Sequence, residues 1–237
     1  MRRAVVFDLG HTLWDWRGDA AHLEAVAAEV ARRLGSPERH RELLRRAILT
    51  AGMRIAESYH HADAREVDFL GLIHRQLAAM DETFRPEDAI RVAQAVFEME
   101  ERVCTMPDYV PDTFARLRAS GYVLGAVSNS PVPGSFLRSL LRRRGLLSSL
   151  EVVISSADFG LRKPDPSIFA AAARRLDVEP SRVVYVGDRV KEDIRGPHWA
   201  GMRAVLTREH RSDEPHSTEP DAVVASLREL PAVIERL

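Results

Sequence analysis

The chain has 237 residues, 45% of them hydrophobic and 29% charged, which is enough to bury one large domain or a core domain with a smaller second one. Lys and Arg number 34 against 35 Asp and Glu, for a formal net charge of -1, so no overall field favours nucleic acid or an anionic membrane. The single cysteine, Cys104, excludes an internal disulfide and a cysteine-built zinc site, and it reads as a half-buried helix residue.

The first segment, "RAVVF" at 3–7, is a continuous apolar run of the kind a strand buried on both faces requires. Its apolar stretch stops at Asp8, too short for a signal peptide, and no segment approaches the length of a membrane span. A reduced, cytoplasmic protein is expected. From about Asp19 to Cys104 every segment has helical spacing, with Gly35 as a stop, Ser36 as a cap and Pro37 in a first turn. Helices with no strand between them predict a small all-helical bundle.

After Pro107 the pattern changes to alternation. "VPDTFARLRASG", "PGSFLRSLLRRRG" and "DPSIFAAAARRLD" read as helices, with the strands "YVLGAV", "EVVIS" and "RVVYV" between and after them. "KEDIRGPHWAG" reads as a helix bent at Pro197, "RAVLT" as a strand, and "DAVVAS" and "LRELPAVIERL" close the chain. The polar "REHRSDEPHSTEP" predicts a surface loop. Alternating strand and helix predict an α/β fold, a Rossmann-like parallel sheet core built from 1–15 and 105–237, with an inserted helical cap domain at 16–104. An insert that follows the first strand emerges at the carboxyl edge of the sheet, where open α/β folds bind ligands, and is placed to act as a lid.

The strand ends carry complementary polar groups: Asp8 with Thr12, then Ser128 and Asn129, Lys163 in "LRKPDPSIF", and Asp188 and Asp193 in "GDRVKED". Lys163 is one of only two lysines, with Lys191, which favours a functional role over a surface one. Converging carboxylates repel unless a hard cation sits among them, and Mg²⁺ takes oxygen ligands and suits phosphate substrates. Lys163 and the Ser128 and Asn129 donors suit the remaining phosphate oxygens. Phosphoryl transfer asks for that equipment: positioning and charge stabilisation.

"FDLGHTL", "VSNS", "KPDPSIF" and "GDRVKED" resemble, in order, the four motifs of the haloacid dehalogenase superfamily of hydrolases, and the helical insert resembles that family's C1-type cap. The resemblance implies Asp8 as a nucleophile that forms an aspartyl-phosphate. It implies phosphate binding by Thr12 in the turn after Asp8, by Ser128 and by the backbone beside Asn129, with Lys163 neutralising Asp8 and the phosphate oxygens. It implies Mg²⁺ held by Asp8, the Gly10 carbonyl and Asp188, with Asp193 as a direct or indirect partner. The implied ligand is a small phosphorylated metabolite, with no nucleic acid or membrane partner, and the chain acts as a monomer or homodimer.

The family's phosphatases typically carry a second aspartate two residues after the first, as general acid and base; here that position is Gly10. A positioned acid or base contributes roughly 10²–10⁴ in rate. Three readings follow. His11 replaces the missing group, with Asp15, His60 and His61 as rivals, or else His11 points away from the site. The substrates are activated phosphates that need no acid. Or the protein binds phosphorylated ligands with little turnover. A 2-haloacid dehalogenase-like reaction also needs no acid, but such enzymes generally lack an aspartate at the place of Asp188. The phosphonate-cleaving branch needs a cap lysine, and none precedes Lys163. Trp14 and Trp16 read as packing residues at the exit to the cap, with substrate selection as the alternative, and Arg142 to Arg144 as a solvated helix end.

Overall fold

The computed structural model describes residues 2–16, 20–35, 40–58, 64–81, 83–211 and 218–237. These fall into two compact units, Met1–Asp15 with Thr105–Leu237, and Trp16–Cys104. Ser36, Pro37, His60, His61 and part of the 208–220 loop lie outside the described residues.

The first unit is built on a six-stranded sheet whose neighbouring strands pair in parallel. Strand β1 (Arg3–Phe7) lies inside it, with β4 (Tyr122–Ser128) and then β5 (Val152–Ser155) on one side. On the other side follow β6 (Val183–Gly187), β7 (Arg203–Thr207) and β8 (Ala222–Val224). The chain therefore reverses direction across the sheet between β1 and β6, and such a switch point opens a crevice at the carboxyl ends of the strands. Register aligns those ends: Phe7 stands opposite Ala126 on one side and Val186 on the other.

Burial on both faces explains the unbroken apolar run of β1. Ala4 and Val6 belong to a core with Ile168, Phe169, Ala172 and Leu176 of a helix, α8 (Pro166–Leu176). Phe7 instead stacks on Phe114 of α5 (Val110–Ala119), ring centroids 4.7 Å apart. The larger of these side chains, Val6, Ile168, Leu176 and the phenylalanines, contribute about 1.5–3 kcal/mol each when fully buried. The Asp165 carboxylate caps α8 by accepting from Ser167 N at 2.9 Å, with Pro166 in the first turn, where its missing N–H costs nothing.

Two local readings change. "KEDIRGPHWAG" is not one bent helix but a π-helical turn, Val190–Arg195, followed by α9 (Gly196–Trp199). Pro197 has no N–H to offer the carbonyl of Asp193, so the regular ladder cannot run through it. Cys104 is buried, and it lies in a two-residue strand, β3 (Cys104–Thr105), paired with β2 (Asp15–Trp16).

The second unit contains α1 (Ala20–Leu34), α2 (Arg41–Ser58), α3 (Phe69–Met80) and α4 (Pro86–Arg102). Its apolar faces follow helical spacing: Phe69, Ile73 and Leu77 on α3, and Ala89, Val92, Ala93 and Met99 on α4. Asp68 caps α3 through Gly71 N, and the Asp88 carboxylate accepts from Arg85 N at 2.8 Å at the start of α4. Among the described residues no helix is long and apolar enough to cross a membrane.

Candidate active site

Asp8 follows β1 and is 7% exposed. Its backbone N–H donates to Val186 O at 2.8 Å, which ties the residue to the end of β6. Lys163 Nζ donates to Asp8 Oδ1 at 2.7 Å, to Asp193 Oδ1 at 2.6 Å and to the Tyr185 hydroxyl at 3.0 Å. All three ammonium hydrogens thus have buried acceptors. The Tyr185 hydroxyl in turn donates to Val127 O at 2.9 Å, and its ring meets Phe169 edge-on at 5.0 Å. Thr12 Oγ1 lies 3.3 Å from both Asp8 Oδ2 and Asp188 Oδ1, and its one hydrogen serves either carboxylate.

Asp193 is held from both ends. While Oδ1 accepts from Lys163, Oδ2 accepts from the backbone N–H groups of Asp188 at 3.1 Å and Arg189 at 3.0 Å. Gly187 makes room for this: a Cβ there would lie 2.3 Å from Asp193 Cγ. Asp188 Oδ2 is buried and makes no hydrogen bond, although Arg211 Nε lies 2.5 Å away as an ionic contact. Oxygens of Asp8, Asp188 and Asp193 come within 4.8 Å of one another.

Asn129, just beyond β4, clamps the lysine from behind. Its Oδ1 accepts from Lys163 N at 2.7 Å and its Nδ2 donates to Lys163 O at 3.0 Å. The side-chain amide is therefore committed to Lys163. Ser128, the last residue of β4, is buried beside Ser155 of β5. Gly10 bridges to Trp14 in a tight loop, closed by hydrogen bonds from His11 N to Trp14 O at 2.7 Å and from Leu13 N to Leu9 O at 2.8 Å. His11 takes φ 55° in that loop, and its Nδ1 lies 3.0 Å from Asp15 Oδ1. Trp14 is buried at 1% exposure, consistent with packing.

The electrostatics follow from burying three carboxylates with one ammonium. Burial pushes Asp8 above the ordinary aspartate value; Lys163 opposes the rise and Asp188 adds to it. Burial, with Asp193 beside it, pushes Asp188 up to about 6 against the pull of Arg211. Asp193 is also pushed up to about 6 by burial, against Lys163. Burial by itself lowers the Lys163 ammonium, but Asp193 and Asp8 outweigh it and hold the group well above the ordinary lysine value. Burial, then Arg211, lowers His11, and Asp15 works against both.

Sequence reasoning did not anticipate Tyr185 or Arg211. The tyrosine sits in the apolar run "RVVYV", where an aromatic reads as core. The arginine sits in a polar loop with no periodicity to single it out.

A sequence profile described as haloacid dehalogenase-like hydrolase matches residues 2–201. The chain is 31% identical over 246 aligned positions to a glyceraldehyde 3-phosphate phosphatase of Methanopyrus kandleri, covering 100% of this chain and 99% of that protein. It is 32% identical over 158 positions to a phosphoglycolate phosphatase of Salmonella typhimurium, covering 64% of this chain and 62% of that one. Its fold is similar to a crystal structure titled 2-haloacid dehalogenase from Pseudomonas syringae pv. Tomato DC3000, at 29% identity and a TM-score of 0.69, covering 100% of this chain and 99% of that one.

Proposed function

The chain belongs to the haloacid dehalogenase-like hydrolases, and from that membership and the carboxylate–lysine cluster we propose that it is a Mg²⁺-dependent phosphatase of a small phosphorylated metabolite, with Asp8 as nucleophile. The observation that carries the reading is the charge of the buried cluster. Three buried carboxylates face one buried ammonium, and the Arg211 guanidinium, 30% exposed, meets Asp188 from the solvent side, so one negative charge is uncompensated with Arg211 in place and two once it withdraws. A divalent cation cancels that excess, and an all-oxygen donor set suits Mg²⁺ better than a softer metal.

The buried Asp188 Oδ2, with no hydrogen bond, fits such an ion, and Asp8, Asp188 and the Gly10 carbonyl would hold it. Asp193 has both oxygens engaged, so its part is to orient Lys163 and the turn at Asp188. When bound, the ion supplies positive charge against the phosphoryl oxygens. Lys163 favours the ionised form of Asp8 against burial and aims it, and its ammonium offers charge to the transferring group. An Asp8 oxygen attacks phosphorus, the P–O bond to the alcohol or acyl group breaks with its electron pair on the leaving oxygen, and water then cleaves the aspartyl-phosphate to restore Asp8 and release phosphate. Ser128 and the backbone beside Asn129 bind the phosphate. The helical unit, whose chain leaves after β2 and returns at β3, serves as the substrate-selecting cap.

Gly10 and the likeness to a dehalogenase keep one rival reading, attack of Asp8 on carbon with loss of halide. The test is Mg²⁺-dependent phosphate release across acetyl phosphate, sugar 1-phosphates and alkyl phosphates, with Asp8→Asn as the control. Turnover that needs Mg²⁺ and vanishes in the control supports the phosphatase. Halide release from 2-haloacids that persists in chelator supports the rival, and binding of phosphate with no turnover supports a ligand-binding protein.

A further inference from the structure

Arg211 stands outside every role given above. It lies beyond β7, and the chain leading to it is pinned. Arg208 N donates to Val224 O at 2.9 Å, and Glu209 N donates to Thr207 Oγ1 at 3.2 Å. The Glu209 carboxylate accepts from Leu227 N at 2.7 Å and from the Tyr109 hydroxyl. From that anchored root Arg211 reaches Asp188 Oδ2, a buried carboxylate oxygen that makes no hydrogen bond.

The contact is ionic and lacks the parallel two-bond geometry that makes arginine–carboxylate pairs strong. Its two ends also differ in access. The Arg211 side chain is 30% exposed and the Asp188 side chain 2%. The guanidinium has solvent to withdraw into; the carboxylate does not. Two cations cannot share one oxygen without strong repulsion at low dielectric, so a divalent ion on Asp188 and the present position of Arg211 exclude each other. A displaced guanidinium at this mouth would face whatever anion the site has taken.

We propose that Arg211 is a built-in counterion of the metal position, which neutralises Asp188 while no divalent ion is bound and passes to the phosphate of the ligand once one is. The proposal rests on the metal-and-phosphate reading above. It makes Arg211 a ligand-binding residue and links the two binding events: the metal frees the arginine for the anion, and by reciprocity the anion favours the metal.

The experiment is calorimetric titration of Mg²⁺ into the full chain, as wild type, Arg211→Gln and Arg211→Lys, followed by titration of inorganic phosphate into each Mg²⁺-loaded protein. Removing the competitor tightens Mg²⁺ in Arg211→Gln by about tenfold and weakens phosphate by a similar factor, while Arg211→Lys stays near wild type in both. Unchanged or weaker Mg²⁺ binding in Arg211→Gln, or unchanged phosphate binding, overturns the proposal and leaves the phosphatase reading intact. Failure of the wild type itself to bind Mg²⁺ overturns both.

Discussion

Tyr185→Phe removes one oxygen from beneath the site and leaves the ring where it is. The lost hydroxyl accepts from Lys163 Nζ at 3.0 Å and donates to Val127 O at 2.9 Å. Tyr185 is 0% and Lys163 5% exposed, so water does not replace either bond. A neutral bond contributes about 1 kcal/mol and one to a charged group about 1.5–3 kcal/mol. The expected loss of stability is therefore about 2–4 kcal/mol, with no cavity term, because the edge-on packing against Phe169 persists. At about 2–4 °C per kcal/mol for a unit of this size, the melting temperature of the metal-free protein falls by about 5–15 °C in scanning calorimetry. Lys163 keeps Asp8 and Asp193, so turnover of acetyl phosphate falls by no more than about 10²-fold, the scale of a small misplacement. A melting temperature within about 2 °C of wild type would refute the claim that the phenol holds the lysine.

The raised carboxyls of Asp188 and Asp193 give the metal-free protein a pH dependence of definite sign. Both stand at about 6 in the folded chain, above the ordinary aspartate value near 4, so between those limits the folded state binds more protons than the unfolded state. The contribution of these two groups is full below about pH 4 and is lost as pH rises through 6, by up to about 3 kcal/mol for one such group; urea unfolding at stepped pH measures it, and rising stability between about pH 4 and 6 contradicts it. Gly187→Ala drives a Cβ to 2.3 Å from Asp193 Cγ, and the displaced carboxylate costs about 1–3 kcal/mol together with Mg²⁺ affinity, read by denaturation and calorimetry. Gly10→Asp restores an acid at the vacant position and raises turnover of alkyl phosphates by about 10²–10⁴, with little gain on acetyl phosphate; an equal gain on both would count against a leaving-group role.

The sheet was legible because its strands are buried on both faces, so β1, β4 and β6 appear as apolar runs that stop at or just before a polar residue, Asp8, Ser128 and Asp188. Asp8, Lys163, Asp188 and Asp193 were legible for the same reason: each lies just past or near a strand end, and lysine is scarce enough for one to stand out. What pairing does was not legible. The commitment of the Asn129 amide to Lys163 depends on a residue 34 positions away. The use of the Tyr185 hydroxyl depends on Val127, 58 positions away. A local pattern carries no trace of either. Arg211 was hidden differently, as one arginine among many in a loop whose polar composition reads as solvent-facing. The break at Pro197 was visible, but not that the preceding turn widens to π geometry.

On the proposed phosphatase reading, Gly10 decides which half of the chemistry this site can do unaided. Capture of a phosphoryl group needs an ionised, aimed nucleophile and positive charge around it, and Asp8, Lys163 and the cation position meet that need without a titrating partner. Departure of the leaving group is a proton problem, and the loop after β1 offers one titratable side chain next to the vacant position, His11. Its Nδ1 is engaged by Asp15, and burial with Arg211 lowers its proton affinity, so it is poorly set to act as an acid near neutrality. The same lowered affinity suits a base better than an acid. That reading predicts a preference for substrates whose leaving oxygen departs without a proton, acyl phosphates and sugar 1-phosphates ahead of alkyl phosphates. The order of rates across those classes then reports on residue 10 more directly than the rate on any single substrate.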